Sequence, residues 1–151
     1  MRNVFKSKGR AKGWAFIQFP THMLKDIRLQ QLSGRAHKAL LYLASQYNGK
    51  NNGDLQAAWK LAKHAGWTSN GSLKRGVSEL MEAGFVSLTR QGGRNHCSLY
   101  ALTWFSIDAC DGKLDVTATK VASNEWRNGD LSEPLRVQCE PARVQSVGTI
   151  Q

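Results

Sequence analysis

The chain has 151 residues, 41% hydrophobic and 21% charged, which is long enough for one domain with a real core and too apolar for wholesale disorder. Lys and Arg number 21 against 11 Asp and Glu, a formal net charge of +10; sixteen of these cations and four of the acids lie in residues 1–95, while residues 96–151 hold five and seven, and so uneven an excess points to a polyanion partner. Cys97, Cys110 and Cys139 show no Cys-x-x-Cys spacing, which argues against a disulfide framework or zinc cluster, and no apolar run approaches the ~18 residues of a membrane span, so a cytoplasmic protein is expected, with no membrane partner.

Residues 1–13 alternate cations with small residues (Arg2, Lys6, Lys8, Arg10, Lys12) and show no apolar period, which predicts a flexible basic arm that either grips DNA or serves solubility. Trp14, Phe16 and Phe19 then alternate with smaller residues up to Pro20, the pattern of a strand or extended segment docking aromatic side chains. Thr21 caps a short helix over His22–Leu29. Ser33 is a suitable N-cap for Gly34–Tyr47, where Ala36, Leu40, Leu43, Ala44 and Tyr47 recur at three- and four-residue steps. Asn48–Asp54 is dense in residues that tolerate a left-handed backbone, hence a loop, after which Leu55-Gln56 has room for a minimal strand.

Ala57–Ala65 predicts a short helix stopped by Gly66, and Thr68 or Ser69 caps a further helix running to about Ala83, with Leu73, Val77, Leu80 and Met81 inward. Phe85–Arg90 and Cys97–Trp104 alternate like strands around the Gly-Gly turn in Gln91–Asn95. A polar stretch follows at Asp108–Gly112, then a short element near Asn124–Arg127. The expected division is a basic arm (1–13), one domain (14–106), a C-terminal extension (107–129) and a mobile tail (130–151).

Helix, helix, glycine turn, helix, hairpin is the winged helix-turn-helix order, so the expected fold class is α+β, a three-helix core with a two-stranded β wing. A reading helix must be narrow and polar outside to enter a major groove about 12 Å wide. Residues 69–83 meet that demand: Ser69, Asn70, Gly71 and Ser72 are small, Lys74 and Arg75 reach phosphate or guanine, and the acids Glu79 and Glu82 come last. Arg90 and Arg94 flank the wing tip, with Arg94 the principal wing contact, and Lys60 and Lys63 are either phosphate clamps or a solvated face. These stretches, together with FIQFP (16–20), LYLASQYNGKNNGDL (41–55) and SLYALTW (98–104), resemble the small winged-helix proteins of bacterial, plasmid and prophage DNA. The resemblance spans about 16–104 and implies that the helix carrying Ser69–Arg75 binds DNA; it does not cover the basic arm or the chain after Trp104.

The expectation is sequence-specific binding of double-stranded DNA, as a transcriptional regulator or replication-associated protein of a phage or plasmid. The alternatives are a protein-interaction module acting on a host complex, and RNA binding. A homodimer is expected, held by the Trp14–Phe19 flank or by Phe105–Trp126, because one helix reads few base pairs. No enzyme, cofactor, metal or small-molecule ligand is signalled. His64 and His96 lack a second ligand at zinc spacing, His96 and Cys97 on a strand would point to opposite faces, and Asp108, Asp111 and Asp115 read as an acidic loop. Trp59 and Trp67 bracket the turn as core residues or, less simply, as base-stacking platforms.

Overall fold

The computed structural model describes residues 15–128; the expectations for the basic arm, Trp14 and the tail lie outside the described residues. Those residues form a mixed α+β fold with a three-stranded antiparallel sheet. No described helix is long and apolar enough to cross a membrane.

The single helix expected over 22–29 is two short ones, α1 (Thr21–Leu24) and α2 (Ile27–Gln30). The break falls at Asp26, whose carboxylate accepts the backbone N–H of Arg28 at 2.9 Å and ion-pairs with its guanidinium at 3.1 Å. That capping bond restarts the backbone and makes a continuous helix unnecessary. Helix α3 (Gly34–Ser45) ends two residues before the expected Tyr47, and Ser33 caps it, its Oγ accepting from Ala36 N–H at 3.3 Å. Ala36, Ala39, Leu40, Leu43 and Ala44 form its buried stripe.

Strand β1 (Leu55–Gln56) precedes α4 (Trp59–Ala62), which tightens into a 3-10 turn at Lys63–Ala65. Helix α5 (Asn70–Glu82) leads into β2 (Val86–Arg90) and β3 (Leu99–Leu102). β2 and β3 pair as the expected hairpin, but β3 is shorter than predicted, and β1 adds a third strand on its other side, Leu55 opposite Tyr100. His96 and Cys97 therefore precede the strand instead of lying in it, so alternation across a strand does not describe them.

α3 and α5 cross closely. A Cβ on Gly76 would stand 2.7 Å from the Arg35 carbonyl oxygen, so only glycine lets the helices approach this far. At the same crossing Glu79 accepts the Ser33 hydroxyl at 2.7 Å and Arg35 Nε at 2.9 Å. Met23, Leu43, Leu55, Leu73, Leu80 and Phe85 are almost wholly buried at the centre; each such side chain contributes about 1.5–3 kcal/mol by leaving water.

Residues 15–20 form neither helix nor strand. Phe19 docks on Trp104 with ring centroids 5.3 Å apart, and the Trp104 indole N–H donates to Gln18 O at 3.1 Å. Phe16 does not dock; it is 82% exposed. Beyond Phe105 the chain folds back over the body. Asp108 exchanges two bonds with the backbone of Asn52 (2.8 and 2.9 Å), and Asp115 N–H donates to Thr89 O at 2.9 Å. Trp126 is buried and stacks on Phe85. Gly84 accommodates this return: its φ is +79°, and a Cβ there would meet the Glu125 carbonyl carbon at 2.8 Å.

Candidate nucleic-acid interface

The connection from α4 to α5 is set by a left-handed residue that suits glycine, Gly66 at φ +83°. Trp67 follows, 5% exposed, and its backbone N–H bonds back to Ala62 O at 3.3 Å. It is a core residue, edge-on to Tyr42, while Trp59 is half-buried. Lys38 on α3 closes the turn from outside: its ammonium donates to Gly66 O at 2.7 Å and lies 4.7 Å from the Trp67 ring centroid. The sequence points to Lys60 and Lys63 near this turn and misses Lys38, because only the fold brings that residue of α3 to Gly66 and Trp67.

Ser69 caps α5, its Oγ accepting from Ser72 N–H at 3.3 Å, so this hydroxyl serves the helix terminus first. Leu73, Gly76, Val77 and Leu80 face inward. Gly71, Lys74 and Arg75 are exposed, with Asn70 and Ser72 half-buried beside them. Arg75 Nε donates to Gly71 O at 3.3 Å, so its guanidinium folds back toward the first turn. Lys60 and Lys63 are exposed on the preceding helix and its 3-10 turn.

The ion pairs found among the described residues are Arg28–Asp26, Arg35–Glu79 and Lys113–Asp54. None involves Lys60, Lys63, Lys74, Arg75 or Arg94. Glu79, the acid nearest the middle of α5, is held by the start of α3: burial alone would raise its carboxyl, but hydrogen bonds from Ser33 and Arg35 outweigh that and keep it below its ordinary value of 4.5.

The two hairpin arginines differ. Arg90 is half-buried, its Nη2 donating to Cys97 O at 3.1 Å, and its Nε is buried with no partner. This guanidinium ties the end of β2 to the segment before β3, so it is only partly open to solvent. Arg94 is exposed at a tip closed by the Gly93 N–H to His96 O bond of 2.9 Å. Gly92 is tight as well, its N–H donating to Ser98 Oγ at 2.9 Å, and a Cβ there would reach Ser98 N at 2.6 Å. Asp115 Oδ2 accepts Gln91 N–H at 3.0 Å and fixes the base of the tip. Asp108 and Asp115, expected as parts of an acidic loop, are thus engaged with backbone N–H groups.

Lys74 and Arg75 are exposed on α5 and Ser69 at its N-cap, with Asn70 and Ser72 half-buried in its first turn, Lys60 and Lys63 exposed on the preceding segment and Arg94 exposed at the hairpin tip. Such an arrangement offers cations for phosphates and small polar groups for base edges. Neither a family model, nor a curated protein, nor a solved structure matches the chain.

Proposed function

We propose that the chain is a winged helix-turn-helix protein that binds double-stranded DNA sequence-specifically, with α5 as reading helix and the β2–β3 hairpin as wing. The observation that carries this reading is the outer face of α5, where Lys74 and Arg75 are exposed beside Gly71 and enter none of the ion pairs among the described residues. A helix of 13 residues is about 20 Å long, enough to lie along a major groove.

In this reading Asn70, Ser72, Lys74 and Arg75 meet base edges and adjacent phosphates. Ser69 holds the helix start and offers its hydroxyl there. Lys60 and Lys63 reach phosphates, Arg94 contacts the neighbouring groove, and Arg90 keeps the wing in shape. Regulation of transcription or a part in replication on a mobile element would follow from such binding, and a homodimer reading two half-sites would supply the discrimination one helix lacks.

The test is selection from a pool of random duplexes. Enrichment of one motif, palindromic if the protein acts as a dimer, is the expected result. An unenriched pool, or tighter binding to a structured RNA than to any duplex, contradicts the proposal.

A further inference from the structure

Between α5 and the returning strand of the hairpin lies a cleft of about 380 Å³. Half-buried Trp59 and Tyr100 line it with aromatic surface, and Asn70, Lys74, Ser78 and Ser98 add an amide, an ammonium and two hydroxyls. No carboxylate lines the cleft. Lys74 takes part in none of the ion pairs found among the described residues. Small-molecule sites begin at about 300 Å³ and pair apolar walls with a few placed polar groups. A planar ring can pack on aromatic lining, an anionic substituent can pair with the ammonium, and the neutral groups can bond ring heteroatoms.

We infer that this cleft binds a planar aromatic anion no larger than a nucleoside monophosphate, its ring against Trp59 and Tyr100 and its charge at Lys74. A phosphate or a carboxylate satisfies that chemistry equally, so both forms are tested. One consequence rests on the DNA reading: Asn70 and Lys74 belong to both surfaces, so ligand and duplex compete, and the ligand acts as an antagonist of DNA binding.

The experiment uses the full chain without DNA, titrated at millimolar concentration with adenosine 5′-monophosphate in one arm and salicylate in the other, and followed by NMR. The expected result is saturable shifts at the Trp59 indole and the Ser78 and Tyr100 amides for at least one probe, identifying phosphate or carboxylate as the favoured anion. Lys74→Met should weaken that probe about tenfold, the scale of one charge-assisted hydrogen bond. Ser78→Trp, at an exposed position that lines the cleft, should fill it and abolish binding while the melting curve stays in place. Shifts by neither probe, or binding unchanged in a folded Ser78→Trp variant, overturn the inference. Because DNA is absent, either failure leaves the duplex reading untouched. A ligand that binds but does not displace a bound duplex overturns the competition alone.

Discussion

Asn52 to alanine probes the joint between the loop after α3, the sheet and the returning chain. The side chain is fully buried. Its amide nitrogen donates to the carbonyls of Leu102 (3.0 Å), Phe105 (3.3 Å) and Ser106 (2.9 Å), and its oxygen accepts Leu102 N–H at 2.8 Å. Alanine leaves the Leu102 N–H buried without a partner, at about 1–3 kcal/mol, and removes bonds from carbonyls that tolerate the loss better, at about 1 kcal/mol each for the two shorter ones. The expected cost is about 3–5 kcal/mol, a large share of the roughly 5–15 kcal/mol that holds a domain together. For a domain of this size that lowers the melting temperature by at least about 10 °C. Urea and thermal unfolding followed by circular dichroism measure it. Asn52→Asp is the companion: it keeps the shape but sets a carboxylate oxygen against three carbonyls, so at neutral pH it should cost at least as much as alanine. Its deficit should shrink in acid, because a carboxyl held there has its folded pKa above the unfolded one and gains a donor on protonation. An alanine variant within about 1 kcal/mol of wild type refutes this account of the joint.

Gly76→Ala gains about 1 kcal/mol of helix propensity but forces a Cβ toward the Arg35 carbonyl 2.7 Å away, an overpacking cost of about 1–3 kcal/mol, so a lower melting temperature is expected and a higher one contradicts the close helix crossing. For Glu79, hydrogen bonds from Ser33 and Arg35 depress the folded pKa below 4.5, so its contribution is fully present above that value and is lost as pH falls through the lower folded one. Glu79→Gln should therefore cost stability at neutral pH and almost none in acid; a penalty independent of pH speaks against the ion-paired crossing. Ending the chain at Ser106 removes buried Trp126 and the bonds from Asp108 and Asp115. Loss of the tryptophan alone is worth about 3–5 kcal/mol, and a shortened chain melting like the full one would show that residues 107–128 are dispensable to the fold.

Much of the body was legible because local signals agree with the packing. Ser33 and Ser69 are good caps, Gly66 and Gly84 take the left-handed backbone the helix ends need, and the inward residues of α3 and α5 recur at helical spacing. The two-residue strand was visible at Leu55-Gln56, but its partner was not, since pairing with β3 is set by a contact across more than 40 residues of chain. Asn52 was hidden for a similar reason. In a run of Asn and Gly it looks like a turn residue, and only the fold brings the Leu102 backbone and the 105–108 segment to it. Phe16 misled, because alternation with small residues is as compatible with an aromatic side chain left in water as with one docked beside Phe19. Arg90 and Arg94 are alike as sequence and differ as structure: one sits at a half-buried strand end within reach of Cys97 O, the other at the exposed tip.

The central claim is that the outer face of α5 meets DNA through Lys74 and Arg75. Fluorescence anisotropy on a duplex recovered by selection, titrated with protein over a range of salt, tests it most directly when wild type is run beside the Lys74→Ala/Arg75→Ala double variant. Wild-type affinity should fall steeply and linearly in log–log form, by about 0.9 for each phosphate neutralised. The double variant should bind at least about 1–3 kcal/mol more weakly with an unchanged melting curve. Equal affinity for the two proteins, or a wild-type affinity that salt barely moves, would contradict the account.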